Sequence, residues 1–165
     1  MLVYKIEPIF MRENMPLEEA FNIIFSPETL HRVHGDNISA SPFINDKRTL
    51  QYKISILSMP TLLKPYLWEP YVNSTMEQKL ERHKSYWNLY TSIQFHFPLG
   101  NLIAVTCKFI VFKKHGKTYF GGYIKHEISM PLIRDIGEHY LMQHSKREVE
   151  MFEKTIRDSQ PKNLP

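Results

Sequence analysis

The chain has 165 residues, a formal net charge of +4, 42% hydrophobic and 23% charged residues, which is the composition of one ordinary domain able to bury its own core. Its single cysteine, Cys107, excludes an internal disulfide, and a positive charge this small and scattered argues against a nucleic-acid binder. Met1 to Glu7 lacks the basic and apolar regions of a secretory signal, and the longest apolar run, Leu102 to Phe112, carries Lys108 and is too short to cross a bilayer. The expectation is a cytoplasmic protein with one domain over residues 1–157 and a disordered tail over 158–165.

The first ten residues read as a strand. Asn14 stands where a helix cap is expected, with Pro16 in the first turn, and Leu17, Phe21, Ile24 and Phe25 recur on one helical face. Ser26-Pro27-Glu28 opens a second short helix with Leu30 and Val33 inward, and Gly35 stops it. Three segments then alternate with period two: Leu50 to Ile56, Val72 to Glu81, and Trp87 to Phe97. Each has one apolar and one polar face, the mark of an antiparallel sheet with one wet side. Leu102 to Phe112 is apolar on both faces and reads as a central strand. Lys113-Lys114-His115-Gly116-Lys117 reads as a hairpin turn into a last strand, Tyr119 to Ser129.

The final element is a long helix with Ser129 as its cap and Pro131 in its first turn. Leu132, Ile136, Tyr140, Leu141, Val149, Phe152 and Ile156 recur at helical spacing. It covers about 25 residues, roughly 38 Å at 1.5 Å each, and must cross the whole width of a small domain. The fold class is therefore α+β. A curved antiparallel sheet of about six to seven strands grips the C-terminal helix, two short helices follow the first strand, and an apolar cavity is expected between helix and sheet.

This order of elements resembles the START-like helix-grip superfamily, and within it the VASt-type sterol-binding domain. Ile23-Ile24-Phe25-Ser26 with Leu30-His31-Arg32-Val33 resembles that family's opening helices. Lys47-Arg48-Thr49-Leu50-Gln51-Tyr52 resembles its Arg-x-x-x-Tyr strand, and Thr75-Met76-Glu77-Gln78-Lys79-Leu80 its Glu-Gln strand. His96-Phe97-Pro98-Leu99-Gly100-Asn101 is similar to its Val-Pro-Tyr-x-Asp turn, with the aromatic and the acid replaced. The segment Met59 to Tyr71 is longer than that family has and resembles the lid loop of PRELI-like phospholipid-transfer proteins. The resemblance covers about residues 3 to 157 and implies a lipid carrier, with a sterol or phospholipid as ligand.

On this reading the cavity lining is Tyr52, Ile54, Met76, Gln78, Leu89, Thr91, Ile93, Phe95, Ile136 and Tyr140. Gln78 and Thr91 stand on apolar strand faces, where a buried amide or hydroxyl needs a partner, either a ligand hydroxyl or another protein group. The proline-rich stretch Met59 to Tyr71 offers Leu62, Leu63, Lys64, Leu67 and Trp68 as a lid, a membrane contact or core packing. No metal site is expected, because His31-x-x-His34 with Asp36 has no second cluster to complete it. No cofactor is expected either. Cys107 sits in an apolar run, and no nucleophile elbow, phosphate loop or carboxylate pair occurs, so catalysis is not expected. The expected partners are a hydrophobic small molecule or lipid, a transient anionic membrane surface and a protein partner for targeting. Two alternatives stay open: a protein-interaction module with a filled core, and a START-like cyclase or hydrolase acting on a hydrophobic small molecule.

Overall fold

The alternating segments pair into one sheet. A computed structural model describes residues 1–55, 64, 70–96, 103–129, 131 and 134–161. Its strands are β1 (Leu2–Glu13), β2 (Ile38–Ala40), β3 (Lys47–Ser55), β4 (Tyr71–Arg82), β5 (Tyr86–Phe95), β6 (Ile103–Lys114) and β7 (Lys117–Ile128). Its helices are α1 (Leu17–Phe25), α2 (Pro27–His34) and α3 (Arg134–Asp158), and a turn of 3-10 helix, Gly35–Asn37, follows α2. All pairings are antiparallel, in the order β1-β7-β6-β5-β4-β3-β2. The order is a meander from β2 to β7, closed by the first strand returning beside the last. The sheet curves, and its concave face carries the core.

Inward alternation runs along β3, β4 and β6, and on β5 it is broken only at Asn88, buried beside Leu89. Val72, Ser74, Gln78 and Leu80 are buried on β4, and Leu89, Thr91 and Phe95 on β5. On β6 the buried set is Ile103, Val105, Cys107, Phe109 and Val111. The strand lies inside the sheet as its doubly apolar sequence predicts, with Ile110 and Phe112 half-buried on the outer side. His115 and Gly116 both have positive φ, 53° and 73°. They make the two-residue turn that joins β6 to β7, whose twist matches that of the strands.

Three expectations change. Asn14 does not cap α1: Pro16 occupies that position without a side-chain cap. Asn14 instead has φ 54° and donates its backbone N–H to Gly116 O at 2.8 Å, tying the end of β1 to the β6–β7 turn. The short strand β2 is an addition to the expected elements; it pairs with β3 from Ile38↔Tyr52 to Ala40↔Leu50. Ile136 is 50% exposed. The buried stripe of α3 is set by Gly137, Leu141, Ser145 and Val149 at four-residue spacing, which turns Ile136 toward solvent. Ser26 caps α2 as expected, accepting from the Thr29 N–H at 3.2 Å, and Gly35 closes it. Ser129 lies ahead of the first described residue of α3, and Leu132 is outside the described residues. No described helix is long and apolar enough to cross a membrane.

One glycine is fixed by the backbone itself. Gly122 has φ 133°, and a Cβ there would sit 1.9 Å from the Lys108 carbonyl oxygen. It lies where β1 shifts register against β7, between Ile6 and Ile9. Gly122→Ala should therefore cost at least about 2 kcal/mol, a fall of roughly 5 °C or more in Tm for a chain of this size. Differential scanning calorimetry measures it, and an unchanged Tm would contradict this reading of β7.

Candidate functional site

The cavity follows from where α3 touches the sheet. The helix packs on β1, β7 and α1 rather than on the β3–β5 half. Near its N-terminal end, Gly137 lets the helix approach Ile128 so closely that a Cβ would lie 2.5 Å from Ile128 Cδ1. Farther along, Phe152 meets the rings of Phe25, Phe109 and Phe120 at 5.1–6.1 Å. The space between the middle of α3 and the other half of the sheet is a cavity of about 130 Å³.

The expected lining is largely brought together there. Tyr52 and Ile54 of β3, Met76 and Gln78 of β4, and Thr91, Ile93 and Phe95 of β5 all line the cavity. Val105, Cys107 and Phe109 of β6 extend its floor, and Leu141 and Phe152 of α3 form part of its roof. Leu89 does not line it but is packed in the main core. Tyr140 packs against that core and stacks on His144 at 6.4 Å without reaching the lining. Ile136, being exposed, does not reach it either. Leu62, Leu63, Leu67 and Trp68 are outside the described residues, so the lid expectation falls there; Lys64 is described and half-buried.

Gln78 and Thr91 find partners within the protein. Arg48, only 3% exposed, donates from Nε and Nη2 to Gln78 Oε1 at 2.9 and 2.6 Å. It also donates from Nη1 to the Phe25 carbonyl at 2.9 Å. Gln78 Nε2 passes the chain on to Thr91 Oγ1 at 3.1 Å. No ion pair to Arg48 occurs among the described residues. Its charge rests on the negative, C-terminal end of α1 through Phe25 and on the face of Phe43, 4.2 Å away. Burial still pulls its pKa down to about 10, so it remains a cation at neutral pH. Arg48 is in phase with Leu50, Tyr52 and Ile54, and that alternation is the sequence signal for its burial.

Further polar lining comes from residues the sequence reading did not place in the cavity. His34 of α2, His126 of β7, and His144, Ser145 and Glu148 of α3 all line it with Tyr52. The His34 and Tyr52 rings meet edge to face at 5.3 Å. His144 Nε2 lies 3.6 Å from Glu148 Oε1, too long for a hydrogen bond. His126 Nε2 is 2.9 Å from Ser145 Oγ, and His126 Nδ1 is buried without a hydrogen-bond partner.

Burial sets the charges here. It pushes the Glu148 carboxyl up to about 7, although 23% of that side chain stays uncovered beside the cavity. Burial pulls His126 down to about 4, aided by His144, and lowers His34 and His144 as well, so all three are neutral at pH 7. Burial and then the Glu148 charge raise the Tyr52 hydroxyl, which keeps its proton. Cys107 is pushed up to about 12, a closed and unreactive thiol. Among the described residues no group of three or more His, Cys, Asp or Glu is placed to hold a metal ion.

No protein-family model matches the chain, and neither does any curated protein sequence. Solved structures do share its fold. A conserved protein from Geobacillus kaustophilus is similar at TM-score 0.59 and 15% identity, with 92% of this chain and 90% of that chain covered. A protein from Thermus thermophilus is similar at TM-score 0.60 and 8% identity, covering 96% of this chain and 100% of its own. A Rhizobium loti protein follows at TM-score 0.52 and 9% identity, with 94% and 99% covered. At such identities the likeness is one of fold alone: a sheet closed by a C-terminal helix, in a helix-grip-like arrangement.

The two charged groups near the cavity can each be tested. Arg48→Met strands the Gln78 and Phe25 oxygens and should cost roughly 2–3 kcal/mol. In a double-mutant cycle by urea unfolding, Gln78→Met should recover about 1 kcal/mol or more of that loss, and full additivity would mean the pair does not interact. Glu148 gives a pH signature. Its folded pKa of about 7 stands above the 4.5 of an ordinary carboxyl. Below about pH 4.5 both states keep the proton and no penalty exists. The penalty grows as pH rises toward 7, where the unfolded chain ionises first, and is constant above. Glu148→Gln should therefore match the parent protein near pH 4.5 and exceed it by roughly 2 kcal/mol near pH 8. A difference that does not change with pH would show that the carboxyl is not held in a poorly solvated place.

Proposed function

We propose that the protein binds a hydrophobic small molecule or lipid in the cavity between α3 and the sheet, and carries it without changing it. The observation that supports this most directly is the cavity's mixed lining. Ile54, Ile93, Phe95 and Val105 give it apolar strand face, while His34, Tyr52, His126, His144 and Glu148 add polar groups. Such a space suits a molecule with an apolar body and one polar head. Each methylene taken out of water contributes about 0.8 kcal/mol, so a short chain is enough for useful affinity. Open volume beneath α3 also favours a ligand over the filled core of a pure interaction module.

The size of the cavity orders the candidates. About 130 Å³ is below the roughly 300–1,000 Å³ of pockets that enclose drug-sized ligands. A single-chain amphiphile is the better fit to a cavity of this size. A sterol or a two-chain phospholipid, as a VASt-like or PRELI-like carrier would take, requires α3 or the cavity mouth to move. Loading from a membrane surface, with the protein peripheral to it, is consistent with either.

A second reading, a cavity-based cyclase or hydrolase, is favoured by one observation: a carboxyl with a pKa of about 7 and a protonated tyrosine line the same cavity.

Native mass spectrometry of the gently purified protein, followed by extraction, tests the carrier reading. The expected result is a stoichiometric added mass that extracts as lipid and leaves with its mass unchanged after incubation. Ile93→Phe, which fills the cavity from a half-buried position, should lower occupancy at least tenfold while the protein stays folded by circular dichroism. An empty protein that also fails to load sterol, phospholipid or single-chain amphiphile would reject a carrier, and conversion of the released molecule would favour the enzyme.

A further inference from the structure

We infer that the cavity selects amphiphiles whose head donates hydrogen bonds, a protonated amine or a hydroxyl, and rejects carboxylate and phosphate heads. This rests on the binding reading above and assigns Glu148 as the group that meets the head.

The argument is one of charge at close quarters. The protein is basic overall, at +4, yet among the described residues no lysine or arginine lines the cavity. The one acidic lining residue among them is Glu148. The groups around that carboxyl come from every neighbouring element: His34 of α2, Tyr52 of β3, Cys107 of β6, His126 of β7, and His144 on α3 itself. Cys107 and Tyr52 keep their protons and the histidines are neutral at pH 7. Arg147, the preceding residue, is exposed and absent from the lining, and acts on Glu148 only through space. An anionic head entering beside Glu148 would lose its hydration and find a like charge with no cation to offset it.

A donor head fits the same groups. A hydroxyl donates to the Glu148 carboxylate and accepts from the Tyr52 hydroxyl. An ammonium head donates to the carboxylate and to neutral imidazole nitrogens, and the ion pair it forms compensates the loss of solvent that raises the Glu148 pKa when the cavity is empty. Arg48, the one buried cation near the cavity among the described residues, cannot serve an anion. It is absent from the lining, and Nε and each Nη already donate one N–H to Gln78 or the Phe25 carbonyl.

The test is a set of ligands with one tail and three heads: octylamine, 1-octanol and octanoate, titrated into the whole protein by isothermal calorimetry near pH 8, where Glu148 is ionised. The amine and the alcohol should bind, and octanoate should bind at least tenfold more weakly than either. Glu148→Gln should remove most of the amine's advantage over octanoate. Octanoate binding as tightly as octylamine, or a Gln variant that keeps the amine's advantage, would overturn the inference while leaving the cavity reading standing. Binding of none of the three would overturn both.

Discussion

The architecture depends on how α3 is held. A 25-residue helix laid flat along a curved sheet would exclude everything beneath it. Here it is in close contact at Gly137 against Ile128 and again at Phe152 within the ring cluster of Phe25, Phe109 and Phe120. The bulk of those four rings sets the distance between helix and sheet, and packed interiors do not close gaps by deforming. With the helix lying toward β1 and β7, the face of β3, β4 and β5 keeps its apolar side chains without a covering element of equal width. The cavity is the consequence.

The two charged groups near that space have opposite solutions. Arg48 stays ionised because three of its N–H groups donate to two neutral oxygen acceptors and an aromatic face lies against it at the end of α1. It locks α1 to β3 and β4 and thereby fixes one wall. Glu148 has no such commitment. His144, one turn earlier on α3, is too distant for a hydrogen bond and is neutral. A carboxyl left in that state costs stability above pH 7, and residues that cost stability without a packing return are those expected where a ligand completes the arrangement.

Much of the fold was legible because strands and helices repeat with different periods. The alternations that begin at Leu50, Val72 and Trp87 and the turn read at Lys113–Lys117 translate into β3, β4, β5 and the β6–β7 hairpin. Where the reading failed, one residue type served two purposes. Asn favours both a helix cap and the left-handed region, and Asn14 uses the second. The buried face of α3 is marked by Gly137 and Ser145 rather than by large side chains, so Ile136 looked inward when it is not. A strand of three residues, β2, is too short to show a period. The apolar lining of the cavity was legible from strand parity. Its further polar lining was not, since His34, His126, His144 and Glu148 lie on three separate elements and each alone looks like a surface residue. Only phase could have singled them out: His126 falls in step with Ile124 and Ile128, and Glu148 one helical repeat of seven from Leu141.

The central claim is that the space between α3 and the β3–β6 face is the binding site, and methyl-labelled NMR tests it most directly. Titration with a single-chain amphiphile should move the methyl signals of Ile54, Met76, Ile93, Val105 and Leu141, which line the cavity. Those of Val3 and Ile44, which are exposed and lie outside that lining, should stay in place. Shifts confined to the exposed set, or spread without preference over both, would contradict the account.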